Sequence, residues 1–342
     1  MIKGTSFEIR TGVNVSHWLS QSRKRGEQRK NYIIKADFDT IAAMGFDHVG
    51  LPVDEMQLWN DTGGKEREAF DLLHNAIKWA SAAGLRVIVD LHIIRSHYFN
   101  ADEKPLWTDP VEQQKLLDLW SQLSDELIKY PVENVAYEIL NEAVADDPED
   151  WNKLSAKIIA DIRLKEPGRI ILLGSNRWQA AATFPELKVP QNDKNIILSF
   201  HFYIPMALTH HLAPWTELKE YDGPVNYPGW IIDTTMYAAM PNDLVDYLKG
   251  GANGYYDQAA LEKLMMPAIE VAQKLKLPLY CGEYGVYPTI PQETALRWYR
   301  DVTAIFNRHQ MAYAHWGYKG DFPVVGEKSK PNRPLVEVLT EK

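Results

Sequence analysis

Eight short runs of apolar and β-branched residues recur along the chain, and segments with helical periodicity separate most of them. The runs cover residues 12–16, 48–52, 86–92, 134–142, 169–175, 195–203, 278–285 and 312–320. They are continuously apolar rather than alternating, which is typical of parallel strands that are buried on both faces. Eight strand–helix units of this kind close naturally into a barrel. We therefore predict an α/β fold, a (β/α)8 TIM barrel in one domain that spans residues 1–342.

Helical segments are predicted between most of these strands. They cover residues 33–44, 67–83, 110–129, 150–165, 257–276, 291–309 and 333–340. Gly84 follows the second of them and is a natural helix C-cap. The alternative is an open doubly wound sheet, which usually carries a glycine-rich phosphate turn after its first strand. The first strand here is followed by HWLSQS, which contains no glycine, and this favours the barrel.

Composition excludes several classes of function. The net charge of −9 argues against binding to nucleic acid, because a phosphate backbone requires clustered Lys and Arg. The single cysteine, Cys281, rules out an internal disulfide and is expected to be a core residue. No apolar stretch is long enough to span a membrane. The N-terminal segment MIKGTSFEIR has no apolar run, so we do not interpret it as a signal peptide.

Polar and aromatic residues cluster at the carboxyl ends of the predicted strands. They are Ser16, His17, Trp18, Asp90, His92, Asn141, Glu142, His201, Tyr203, Glu283 and Trp316. In a barrel these ends converge on one mouth, where active sites lie. Hydrolysis of a glycosidic bond with retention requires two carboxyl groups about 5–5.5 Å apart. Strands four and seven face each other across the mouth, so Glu142 and Glu283 are a candidate pair, although either could instead be a solvated surface group.

Several motifs, in this order along the chain, resemble glycoside hydrolase family 5, the large cellulase and mannanase family. They read GFDHVGLPVDE, RVIVDLH, NVAYEILNE, SFHFY, LYCGEYG and YAHWGYKGDF. The resemblance extends from about residue 12 to 325. It implies a retaining double displacement in which Glu142 is the acid/base and Glu283 the nucleophile. It also implies substrate-binding or orienting roles for Asn141, His92, His201, Tyr203 and Trp316.

One position departs from the pattern of the family. Members usually carry an arginine at the end of strand two, as in VRLP, and it hydrogen-bonds the nucleophile and keeps it ionised. This chain has Gly50 there. We therefore expect a raised pKa for Glu283 and a reduced but real activity. Arg95 or Lys319 could substitute for the missing cation, or the chain could bind glycan and turn it over slowly or not at all.

Two long connections, residues 93–110 and 204–256, follow predicted strands and are expected to line the active-site face. Tryptophans that follow strands are candidate platforms for sugar rings: Trp18, Trp59, Trp107, Trp178, Trp215 and Trp230. Trp18 and Trp178, together with His97 of the first long connection, join the expected substrate-binding and orienting set.

Asp90, His92 and His97 suggest a metal site only weakly, since further ligands at fitting spacing are missing. We expect neither metal nor other cofactor.

The sequence thus predicts a retaining endo-β-1,4-glucanase that acts on β-glucan polysaccharide or oligosaccharide. Another β-glycanase specificity stays open, namely mannanase, xyloglucanase, lichenase or exo-glucanase, because a few loop atoms decide it. An impaired glycan-binding variant is the alternative of a different class, and Gly50 is its support. A monomer that is secreted or held at the cell surface is expected, because a polymeric substrate cannot enter a cell.

Overall fold

The computed structural model describes residue 2 and residues 6–341. The expectation about the N-terminal segment therefore falls partly on residues 1 and 3–5, which lie outside the described residues. Among the described residues, every helix is too short or too polar to cross a lipid bilayer.

Eight parallel strands form a closed barrel in which each strand pairs with its neighbours in chain order and β8 returns to β1. They are β1 (Thr11–Asn14), β2 (His48–Val53), β3 (Arg86–Leu91), β4 (Val135–Glu138), β5 (Ile171–Gly174), β6 (Ile196–Phe202), β7 (Leu279–Tyr284) and β8 (Ala312–Trp316). The predicted TIM barrel is confirmed, and closure excludes the open sheet.

Helices cover the outside of the barrel. The main ones are α1 (Gly26–Tyr32), α2 (Lys35–Ala43), α3 (Arg67–Ala82), α4 (Pro110–Leu127), α5 (Pro148–Lys165), α6 (Gln258–Leu275), α7 (Gln292–Arg308) and α8 (Arg333–Thr340). Short α-helical turns span Glu55–Leu58, Asn176–Gln179, Met206–Thr209 and Asn242–Tyr247. The connection after β5 has no long helix and uses a 3-10 segment, Ala181–Glu186, instead. Gly84 follows α3 with φ +77, the left-handed conformation expected of a C-cap.

Alternate strand residues face two different environments. Val87 and Val89 of β3 pack outward against the helices, whereas Ile88 between them joins the cluster inside the barrel with Leu172 and Tyr280. This inner cluster fills the lower part of the barrel, as side-chain layers do in this fold. Closer to the carboxyl ends of the strands, the residues that face the inside of the barrel are polar. The inward-facing residues therefore form an apolar core in the lower part of the barrel and a polar mouth above it.

The structure differs from the sequence prediction at several strand ends and in one long connection, and two of these differences bear on the active-site face. The fourth run was predicted to stay extended to Glu142, but β4 ends at Glu138, and Glu142 lies in the following loop with φ +45. The connection after β6 is not a plain loop, since it contains short helices and a two-stranded antiparallel ribbon of Gly229–Trp230 and Tyr255–Tyr256. Both differences lie at the carboxyl ends of the strands, on the face where the active site is expected.

Candidate active site

Two glutamates meet at the mouth of the barrel. Glu142 follows β4 and Glu283 lies in β7, and their side chains are almost entirely buried. One oxygen of each carboxyl and a ring nitrogen of His201 all lie within 4.8 Å of one another. This separation fits the retaining arrangement, in which the carboxyls stand about 5–5.5 Å apart. The structure therefore brings together the two residues that the sequence paired.

A β-bulge aims Glu283 into the mouth. The registers of β7 with β6 and with β8 both shift around Gly282: Phe200 faces Cys281, but His201 faces Glu283. An extra residue on one strand bends it and re-aims the side chain beside it, a device that recurs next to active sites. The sequence shows only LYCGEYG and gives no sign of this irregularity.

Burial raises the pKa of Glu142 and of Glu283 well above the usual range of a carboxyl. Two carboxyls this close cannot both ionise readily, so they share one proton. The hydroxyl of Tyr203 donates to Glu283 Oε2 over 3.0 Å, which favours the charged form of Glu283. The proton therefore belongs on Glu142. That division of charge suits an acid and a nucleophile.

His201 lies between the two carboxyls. Its Nδ1 is 2.8 Å from Glu142 Oε1 and 3.6 Å from Glu283 Oε2, and burial lowers its pKa, so the ring is neutral. Geometrically, Glu142, His201 and Glu283 could also hold a metal ion. A two-carboxylate hydrolysis uses none. Asp90 and His92, considered as ligands from the sequence, instead hydrogen-bond each other over 2.7 Å.

Gln179 is a site residue that sequence reasoning missed. Its side-chain oxygen accepts a hydrogen bond from the backbone N–H of Glu142 at 2.8 Å, and its Nε2 donates to Glu138 Oε1 at 3.0 Å. Residues 177–179 all adopt positive φ, a strained run of the kind that concentrates at functional sites. Gly174 makes this possible, because a Cβ there would lie 2.3 Å from Gln179 Cγ. No motif in the sequence distinguishes Gln179.

Several buried polar atoms at the mouth have no partner within the described part of the chain. They include His92 Nε2, Asn141 Nδ2 and Asp90 Oδ1. Leaving such an atom unpaired costs about 1–3 kcal/mol. Sugar hydroxyls would satisfy these atoms, which agrees with the predicted roles of His92 and Asn141. Trp316 stacks on His92 with ring centroids 5.2 Å apart, so the two rings pack together at the carboxyl ends of β8 and β3.

The predicted aromatic platforms divide into two groups. The prediction is wrong for Trp18, which is fully buried and donates from Nε1 to the carbonyl of Arg29 over 2.7 Å. It is wrong for Trp59 as well, since that ring is also fully buried. Periodicity alone could not show that the loops after β1 and β2 fold inward. Trp178, Trp215 and Trp230 are 43%, 46% and 52% exposed and stay available to a sugar ring.

Two further predicted residues lie closer to the core than expected. His97 is buried, and its Nε2 donates to the backbone carbonyl of Glu142 over 3.1 Å, so it contacts the loop that carries Glu142 and not open solvent. It therefore fits the orienting part of its predicted role. Trp107 is half-buried and packs edge-on against His97 with centroids 5.3 Å apart. Cys281 is buried in β7, as expected.

Neither proposed surrogate for the missing arginine reaches Glu283. Arg95 pairs with Glu55 and Asp61, and Lys319 pairs with Asp37. Instead, the side chain of Asn14 fills the space beside Gly50. Within the described chain, the groups that most affect the pKa of Glu283 are His201, Glu142, Asp90 and Tyr203, with no lysine or arginine among them. The prediction of a substitute cation from these two residues is wrong.

Gly50→Arg is expected to shift the acid limb of the kcat/KM profile downward by about 1–2 pH units, because an adjacent cation lowers a carboxyl pKa by about 1–3 units. The sign follows from the raised pKa of Glu283. In the native chain the Glu283 carboxyl becomes protonated as the pH falls through its raised pKa, whereas the variant keeps it ionised to lower pH. The measurement is the pH dependence of kcat/KM on a soluble cello-oligosaccharide.

Gly50→Ala is the matched control for this substitution. It makes the same steric demand at Cβ, which would lie 1.8 Å from Asn14 Oδ1, but adds no charge. Identical acid limbs in the two variants would refute the electrostatic explanation.

Comparison with known proteins places the chain in one family. The family profile described as cellulase (glycosyl hydrolase family 5) matches residues 6–321. The chain is 29% identical to Endoglucanase C of Acetivibrio thermocellus over 98% of each sequence. It is 29% identical to Cellodextrinase A of Ruminococcus flavefaciens, over 87% of this chain and 82% of that protein. Its fold resembles the solved structure of Thermotoga maritima Cel5A with a TM-score of 0.77 and 26% identity, covering 96% of each chain.

The profile covers every element that carries the two glutamates and the residues around them. The chain therefore belongs to glycosyl hydrolase family 5, the cellulase family, and is a glycoside hydrolase.

Proposed function

We propose that this enzyme is a retaining endo-β-1,4-glucanase that cuts β-linked glucan by double displacement. The observation that carries the proposal is the buried pair Glu142 and Glu283, with one oxygen of each within 4.8 Å of the other and Tyr203 donating to Glu283 only. The substrate class is supported by relatives named Endoglucanase C and Cellodextrinase A.

In the first step, Glu142 protonates the glycosidic oxygen while Glu283 attacks the anomeric carbon. The leaving sugar departs with the proton, and a covalent glycosyl-enzyme ester remains on Glu283. The negative charge of Glu283 has then been consumed, so the pKa of Glu142 falls and Glu142 is left as a carboxylate. It next takes a proton from water, which attacks the anomeric carbon and releases the sugar with retained configuration.

Exposed aromatic rings support action on a chain and not only on a disaccharide. Trp178 follows β5, and Trp215, Trp230 and Tyr255 lie in the long connection after β6. All four belong to segments that leave the carboxyl ends of strands, on the face that holds the two glutamates. Sugar rings stack on such faces. An open, aromatic-lined cleft is what an endo-acting enzyme requires.

A substrate panel tests the proposal. Release of reducing ends from carboxymethylcellulose, mixed-linkage glucan, mannan and xyloglucan is measured alongside the fall in viscosity of the cellulose derivative. We expect hydrolysis of the β-1,4-glucan substrates, with viscosity falling early, as internal cleavage requires. Mannan is included because Thermotoga maritima Cel5A was crystallised with mannotriose. Preference for mannan, or glucose released from chain ends without early loss of viscosity, would contradict the proposal.

Trp215→Ala is expected to raise KM for cellohexaose roughly fivefold with little change in kcat, because loss of one stacking contact costs about 1 kcal/mol. The ring is half exposed and packs against Tyr287 and His210, and His210 in turn contacts Tyr203. Leu164→Ala, at an exposed position near the C-terminal end of α5, is the control. An unchanged KM in Trp215→Ala would exclude this ring from the cleft.

Since a polymer cannot cross a membrane, the proposal includes action outside the cell or at its surface.

A further inference from the structure

The first two barrel strands show a complementary pattern of inward-facing residues. Gly12 of β1 stands opposite His48 of β2, and one step further Asn14 of β1 stands opposite Gly50 of β2. A Cβ on Gly12 would lie 2.4 Å from the His48 ring, and one on Gly50 would lie 1.8 Å from Asn14 Oδ1. In each pair a glycine leaves room for the polar side chain of its partner. Gly50 is therefore required by the present position of Asn14.

The other end of the Asn14 amide reaches toward the nucleophile. Its Nδ2 donates to the carbonyl oxygen of Gly282 over 2.9 Å, with a longer contact of 3.4 Å to the carbonyl of His315. Gly282 directly precedes Glu283 and lies in β7, two strands from β1 around the barrel. The bond is buried, since Asn14 is only 6% exposed. A hydrogen bond that spans a whole strand ties distant backbone segments together.

The bonded carbonyl belongs to the bulge that aims Glu283. The registers of β7 with β6 and with β8 shift at this point, so regular ladder pairing does not fix the backbone there. A side-chain donor can supply the missing constraint. Gly282 itself sits closely between strands, because a Cβ there would lie 3.0 Å from Ser199 Oγ. Asn14 therefore acts on the backbone unit whose orientation decides where the Glu283 carboxylate points.

We propose that Asn14 is a positioning residue for the nucleophile, because its amide fixes the Gly282 carbonyl of the β7 bulge, and that Gly50 is present to leave room for it. The inference rests on the proposed function, in which Glu283 attacks the anomeric carbon. The arginine that the family carries at this place supplies a positive charge, whereas Asn14 supplies alignment without charge. This chain thus keeps the geometry of its nucleophile while losing the electrostatic support.

A double-mutant cycle with Asn14→Ala, Gly50→Ala and the combined variant tests the coupling. We expect Asn14→Ala to lower kcat about tenfold with KM nearly unchanged, since small misplacements of a reacting group are costly. Gly50→Ala in the native background is expected to cause a loss of similar size, because its Cβ displaces Asn14. In the Asn14→Ala background, Gly50→Ala is expected to change kcat less than about twofold, because no side chain remains to displace. Losses that simply multiply would overturn the proposal.

A second readout separates misalignment of the nucleophile from a general loss of structure. The substrate 2,4-dinitrophenyl β-cellobioside has a leaving group that needs no protonation, so it reports attack by Glu283 alone. We expect the loss in Asn14→Ala to persist on this substrate and to appear in the rate of glycosyl-enzyme formation. Full activity of Asn14→Ala on both this substrate and the polymer would overturn the inference.

Fold integrity is followed by thermal unfolding of each variant. If Asn14→Ala does not fold, Gly50→Ala carries the test through the same two substrates, and full activity there overturns the proposal. Failure of the proposed function looks different, because the unmodified enzyme would then leave β-1,4-glucan and the cellobioside intact.

Discussion

Glu283→Ala is expected to reduce kcat on β-glucan by on the order of 10⁴-fold or more, as is typical when a covalent nucleophile is removed. The carboxylate forms the only covalent bond to substrate in the proposed mechanism, and its neighbours Tyr203 and His201 cannot replace it at the same position. Turnover is measured on 2,4-dinitrophenyl β-cellobioside, with and without sodium azide. Azide is a small anionic nucleophile that can enter the space left by the side chain.

Azide is expected to restore part of the turnover in this variant and to yield the α-glycosyl azide, because it attacks from the side that Glu283 occupied. Glu337→Ala, which removes an exposed glutamate of α8, is the matched control and is expected to keep full activity. Formation of the β-glycosyl azide, or undiminished hydrolysis in Glu283→Ala, would assign the nucleophile to another residue.

Glu142→Ala is expected to show a loss that depends on the leaving group. Loss of a general acid typically costs about 10²–10⁴-fold when the departing group must be protonated. Burial raises the pKa of Glu142, so in the native enzyme it carries the proton near neutral pH. Hydrolysis of cello-oligosaccharides is therefore expected to collapse in the variant. Formation of the glycosyl-enzyme from the dinitrophenyl cellobioside is expected to stay nearly normal, because dinitrophenolate leaves without a proton.

The second step provides the control for this prediction. Without Glu142 as base, the glycosyl-enzyme accumulates, and a burst of dinitrophenolate precedes slow turnover. Azide relieves this block by attacking the intermediate from the face where water normally enters, so the product is the β-glycosyl azide. Equal losses on good and poor leaving groups would mean that Glu142 is not the acid.

Several buried carboxyl groups lie at the mouth of this barrel. Glu138 lies beneath the pair, and burial raises its pKa to about 7, while burial raises the pKa of Asp90 well above its usual range. Asp90 raises the pKa of Glu283 further and Glu138 raises that of Glu142. Buried carboxyls without a nearby cation take up protons, since the charged form is poorly solvated. The reduced activity expected from Gly50 therefore follows from easier protonation of Glu283.

The sequence by itself determined the fold and the pair of catalytic candidates. Continuously apolar runs are typical of parallel strands that are buried on both faces, and eight such strand–helix units predicted a barrel, while the glycine-free turn after the first strand argued against an open sheet. Glu142 and Glu283 could be paired because strands four and seven end at the same mouth. The same reasoning predicted that other residues at strand ends, such as His201 and Tyr203, lie at this mouth.

Only the tertiary structure decided how these groups are held and charged. Gln179 contacts Glu142 across 37 positions of sequence, and Asn14 contacts Gly282 across 268. Such contacts depend on side-chain directions and on a bulge that no local pattern encodes. Trp18 was misjudged for the same reason, because a residue after a strand can turn inward as easily as outward. Sequence periodicity fixes which face of an element is buried, but the partner that meets a given atom is set by packing among elements distant along the chain.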